Sequence, residues 1–210
     1  MKINKYNNKT KAIFAGVFIL VAYGVLVSGI TSSKPLVMIS DVISGLAVIG
    51  IAVIMFPFFK RSNKKLSLSY LLLKILEGTL MITAGIFFLN NSLQFMRDWI
   101  YNGIHLCTFI ISGFVFYYLL YKTKLVPQFI SVWGAIAILA LLVKTAFKIV
   151  GLTYTMLDVM LILIITNEMF LAIWLMVKGF NPTVVDSVSI NTKSNIGIEN
   201  YWIVKSGRKS

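Results

Sequence analysis

Six apolar runs separated by short polar stretches set the pattern of this chain. The first, Ala12 to Ile30, holds no charge and follows a polar segment with four lysines. Leu36 to Phe59 and Leu66 to Leu89 come next, on either side of a tight basic loop of Lys60, Arg61, Lys64 and Lys65. Trp99 to Tyr121, Pro127 to Val150 and Tyr154 to Lys178 complete the set. Each run is close to the roughly 20 residues that an α-helix needs to cross a hydrocarbon core of about 30 Å. The runs are continuous rather than alternating, which predicts helices instead of a closed barrel. The expected fold is all-α, an integral membrane bundle of six transmembrane helices. Its parts are a basic N-terminal segment (1–11), a six-helix domain (12–180) and a polar tail (181–210) expected to be disordered.

Composition agrees with that pattern and narrows the class. Of 210 residues 58% are hydrophobic and only 13% charged, against roughly 25% charged in soluble proteins. The net charge of +13 would suit a nucleic-acid binder, but the basic residues sit at the ends of apolar runs. Excess Lys and Arg on the cytoplasmic side of a membrane accounts for them, and no nucleic-acid partner is expected. With both termini placed inside, 15 Lys and Arg fall on the cytoplasmic side and four on the other (Lys34, Arg97, Lys144 and Lys148), with Lys74 buried. The partners so implied are the lipid bilayer and anionic lipids near the basic loops and the tail, with a protein partner left unspecified. Abundant Asn, Lys and Ile suggest a bacterial source, hence the cytoplasmic membrane of a bacterium.

Candidate chemistry centres on the third run. Ser67, Tyr70, Lys74 and Glu77 fall within an arc of about 80° on a helical wheel, a polar stripe that must face protein or water rather than lipid. Glu168 on the sixth run lies at a depth similar to that of Glu77, and Asn167 is its neighbour. Lys74, Glu77, Asn167 and Glu168 are therefore the candidate buried polar centre, because intramembrane charges are costly and are kept for packing partners or for function. Asp41, His105 and Asp158 lie near the outer ends of their runs and are the candidates for an outer vestibule. Two readings of the centre stay open: a site for a small solute or ion, or polar contacts that fix the bundle for a structural, regulatory or immunity-type subunit. One cysteine and one histidine leave no disulfide and little basis for a zinc site. No hydrolase, phosphate-loop or metalloprotease motif occurs, so neither enzymatic activity nor a cofactor is expected.

Three stretches carry a family resemblance: LSYLLLKILEG (68–78), LLYKTKLVPQFISVWG (119–134) and NEMFLAIWLMVKGFN (167–181). They resemble a bacterial membrane-protein family catalogued as domain of unknown function 4386. Lys74 and Glu77, then Val126, Pro127, Trp133 and Gly134, then Asn167, Glu168, Trp174, Leu175, Lys178, Gly179 and Phe180 occupy its pattern. Lys74 and Gln128 stand where that pattern has Arg. The resemblance implies a six-helix membrane protein and brings no established activity with it.

Overall fold

The computed structural model describes residues 2–31, 33–151 and 158–182. Most of the expected tail, 183–210, lies outside the described residues. Helix α1 (Lys2–Ala22) runs from the basic N-terminal segment into the first span and tightens into a 3-10 turn over Tyr23–Gly29. Helices α2 (Lys34–Phe59) and α3 (Lys64–Leu89) follow. The fourth span is assembled from pieces: a short 3-10 turn at Asn91–Leu93, α4 (Gln94–Ile100), a π-helical turn at Tyr101–His105 and α5 (Leu106–Thr123). Helices α6 (Gln128–Ile149) and α7 (Asp158–Val177) complete six rods long and apolar enough to cross a membrane.

The rods form a closed ring in chain order. Each span packs on the next, and α7 returns to pack on α1. Apolar side chains such as Val53, Leu72, Ile136 and Ile173 stay exposed on the outside, as lipid-facing surfaces require. Inward lie Phe59, Tyr70, Tyr117, Leu120, Ile138 and Leu171, all nearly or fully buried.

Local sequence explains the turns. Asn63 caps α3, its side-chain oxygen accepting from the Leu66 amide at 3.0 Å, which fixes the tight basic loop after Phe59. Lys124 ends α5 in the left-handed region at φ 53°, and Gly179 does the same after α7 at φ 77°. The Asn181 amide then donates to the Leu125 carbonyl at 2.8 Å, tying the end of α7 to the loop that opens α6.

The closest seam is between α2 and α3. A β-carbon added to Gly45 would sit 2.5 Å from the Gly78 carbonyl oxygen, and one added to Gly78 would sit 2.5 Å from the Gly45 carbonyl oxygen. One heptad on, Gly85 lies against the Asp41 side chain. Small residues let the backbones approach in this way. Because Gly78 follows Glu77, the seam also fixes the rotation of α3 and turns its polar stripe into the ring.

One expected boundary is corrected. The stretch Asn90 to Asp98 reads in sequence as a connecting loop, yet from Asn91 it is helical and belongs to the fourth span. Asn90 caps it by accepting from the Ser92 amide at 3.0 Å, and Arg97, a loop charge by hydropathy, is buried against Asp41.

Candidate functional site

The polar stripe of α3 meets partners from the fourth span and from α2. Lys74 Nζ donates to both oxygens of Glu77, at 3.0 and 2.9 Å, an i,i+3 pair within one helical turn. Its ammonium also lies 5.3 Å from the centre of the Phe109 ring. Ser112 of α5 donates its hydroxyl to Glu77 Oε2 at 2.7 Å. Glu77 is 2% exposed, so its charge is balanced by an ammonium and a hydroxyl rather than by bulk water.

Glu168 occupies the middle of α7 and is served differently. Tyr23, at the start of the 3-10 turn after α1, donates its hydroxyl to Glu168 Oε2 at 2.8 Å. No salt bridge reaches Glu168 among the described residues. A cavity of about 60 Å³ joins the two acids, lined among others by Tyr70, Lys74, Glu77, Phe109, Phe116 and Glu168. At roughly 15 Å³ per water it has room for about four. Tyr70 is fully buried at its edge, and its hydroxyl has no hydrogen-bond partner among the described residues. The Tyr117 hydroxyl is likewise buried and has no hydrogen-bond partner among the described residues.

Two further features bracket this centre along the ring. Toward the basic loop, the Tyr70 ring stacks on Phe116 with centroids 5.5 Å apart, and both meet the edge of Phe59. About two turns beyond Glu77 in the other direction, Arg97 binds Asp41 through two nitrogens, Nε to Oδ2 at 2.8 Å and Nη2 to Oδ1 at 3.1 Å. The guanidinium lies 4.7 Å from the Tyr101 ring centre and 5.3 Å from that of Phe88. The π turn follows directly, a distortion that often marks functional positions in helices. Across this end Lys34 bonds Asn91, and Lys148 Nζ donates to Asn102 Oδ1 at 2.9 Å.

The structure thus brings together Lys74, Glu77 and Glu168 and separates the fourth member of the expected centre. Asn167 is fully buried, and its Nδ2 donates to the Ile130 carbonyl of α6 at 3.0 Å. Neighbours on a helix point about 100° apart, so Asn167 and Glu168 serve different faces of α7. The expected vestibule is also revised. Asp41 is fully buried and bound by Arg97 instead of lining an opening. His105 ends the π turn, its ring 4.9 Å from that of Tyr101 and 6.5 Å from that of Phe109. Asp158 opens α7, and its side chain lies outside the described residues. Sequence reasoning missed Tyr23, Ser112 and Arg97. Their partners stand 145, 35 and 56 positions away, beyond any local pattern.

A ring of six helices long and apolar enough to cross a membrane, with Lys74, Glu77 and Glu168 around one internal cavity, defines a multi-pass membrane protein. More particularly, the chain belongs to the family described as "Domain of unknown function (DUF4386)", whose model matches residues 32–98 and 88–179. The match takes in Asp41, Lys74, Glu77, Arg97, Ser112 and Glu168 and leaves Tyr23 before its start. No curated protein and no solved structure matches the chain.

Proposed function

We propose that this protein binds a small ion or polar solute at the centre of its ring and passes it across the cytoplasmic membrane of a bacterium. Glu168 and Glu77 supply the acceptors, and Lys74 holds Glu77 in place. The observation that carries the reading is the shared cavity, which touches both acids and the lysine within one enclosure. If the carboxylates served only to fasten helices, both would be filled by protein partners. Glu168 instead has one tyrosine and an unfilled cavity beside it.

The role is passage and binding rather than catalysis. At about 60 Å³ the cavity admits a few water-sized species, so a larger solute requires the helices to part. The Phe59–Tyr70–Phe116 cluster on one side and the Asp41–Arg97 pair on the other are the contacts that would open in turn. A subunit acting through a partner would present a small-residue helix face outward. Here Gly16, Gly45, Gly78, Gly113 and Gly134 all face neighbouring spans of the same chain.

Purified protein in liposomes tests the proposal. Under an imposed salt or pH gradient, read by entrapped potential-sensitive and pH-sensitive dyes, protein-containing vesicles should dissipate the gradient faster than protein-free ones. Glu168→Gln should return the rate to that of empty vesicles. Equal rates with and without wild-type protein would refute passage.

A further inference from the structure

The charges around the cavity do not balance, and the imbalance names a ligand. Lys74 and Glu77 form a neutral pair, held at 2.9 and 3.0 Å and completed by Ser112. Glu168 stands outside that pair. As a carboxylate it would leave one uncompensated negative charge in a small, mostly apolar cavity, which is costly unless a positive species joins it. We propose that the species this centre exchanges is the proton and that Glu168 carries it, a refinement that rests on the binding-and-passage reading above.

Three observations favour a proton over a metal cation or an organic one. The first is size: about 60 Å³ holds a few waters but no organic ammonium of several heavy atoms. The second is the donor set. No group of three or more His, Cys, Asp or Glu side chains suited to a metal occurs among the described residues. A metal cation would also share the cavity with the Lys74 ammonium. The third is the set of hydroxyls. Tyr23 donates to Glu168 Oε2, which leaves Oε1 as the oxygen that takes the proton. The Tyr70 hydroxyl, fully buried and without a hydrogen-bond partner among the described residues, borders the same cavity and is placed to hold a water there.

In the exchange, a protonated cavity water donates to Oε1. An O–H bond forms on the carboxyl, a water O–H bond breaks, and neutral water remains. The reverse step returns the proton to the water. The charged and titratable groups around Glu168 are Tyr23 from the first span, Tyr70, Lys74 and Glu77 from α3, and Tyr117 from the fourth span. Helix α2 lines the cavity with Val48 and Ile51.

Infrared difference spectroscopy of the purified protein, stepped in pH and repeated in deuterated water, reads the proton directly. The wild type should gain and lose the carbonyl stretch of a neutral carboxylic acid, with a deuterium shift. Glu168→Gln, which keeps an acceptor for Tyr23, should lose that band completely, whereas Glu77→Gln should keep it. Glu168→Asp should keep a carboxylic band at a shifted frequency, which separates loss of the group from loss of the fold. A band that persists in Glu168→Gln, or its absence from the wild type, would overturn the assignment. So would stabilisation by sodium or potassium, relative to choline, that disappears in Glu168→Gln. A titrating Glu168 in vesicles without gradient dissipation would reject passage and keep the proton. Dissipation without a titrating Glu168 would do the reverse.

Discussion

Arg97→Gln probes the buried pair that joins α2 to the fourth span. In the native protein Asp41 is fully buried and Arg97 is 7% exposed. Two charge-assisted hydrogen bonds and two ring contacts hold the guanidinium. Glutamine removes the charge and the planar fork, leaving Asp41 as a buried carboxylate without a cation. Breaking one side of a buried pair costs about 3–5 kcal/mol in soluble proteins. Polar couplings between membrane helices average about 0.6 and reach about 1.7, because the unfolded chain in lipid also finds partners. This pair is bidentate and sandwiched between rings, so its cost belongs above that average, at about 2 kcal/mol. At about 2–4 °C per kcal/mol for a chain of this size, the melting temperature in detergent should fall by roughly 4–8 °C. Arg97→Lys keeps the charge but loses the fork and the flat stacking surface, and should cost about half as much. The Asp41→Asn, Arg97→Gln double variant should recover part of the loss, because two neutral amides can bond each other. The assay is a double-mutant cycle on thermal unfolding. Strict additivity, or a shift under about 1 °C for Arg97→Gln, would refute the reasoning.

Two further outcomes are expected. Glu77→Leu should destabilise more than Glu77→Gln, since leucine strands the Lys74 ammonium; adding Lys74→Leu should recover part of that loss in the same thermal assay, and additivity would count against the pair. Reporter fusions at Asn90 and at the C-terminus should report opposite sides of the membrane, because the basic residues divide 15 to four; the same side for both would reject the six-span topology with both termini inside.

Hydropathy made the spans legible where the runs are uninterrupted. The runs at 36–59, 66–89 and 127–150 agree within two residues with Lys34–Phe59, Lys64–Leu89 and Gln128–Ile149. It failed at the start of the fourth span, where the penalty for Arg97 hides a helix that Asp41 makes tolerable from 56 residues away. The candidate site divides in the same way. The stripe of Ser67, Tyr70, Lys74 and Glu77 is written at helical spacing within one segment, and its Lys74–Glu77 pair is present in the structure. Which residues complete it depends on how the ring closes. The bond from Tyr23 to Glu168 joins the first span to the last, a juxtaposition that no periodicity encodes. Adjacency in sequence pairs Asn167 with Glu168, but adjacent helical positions diverge by about 100°.

Ring closure between α1 and α7 has a consequence for biogenesis. Chains fold from the N-terminus as they are made, so five spans enter the bilayer while the enclosure still lacks a wall. In that interval Lys74 and Glu77 already neutralise each other within one helix and expose little net charge to lipid. Glu168 arrives on the last span as an acid without a cation, and the Tyr23 hydroxyl that receives it was laid down on the first. The interior is therefore created in the final insertion step, and a nascent chain halted before α7 has helices but no inside.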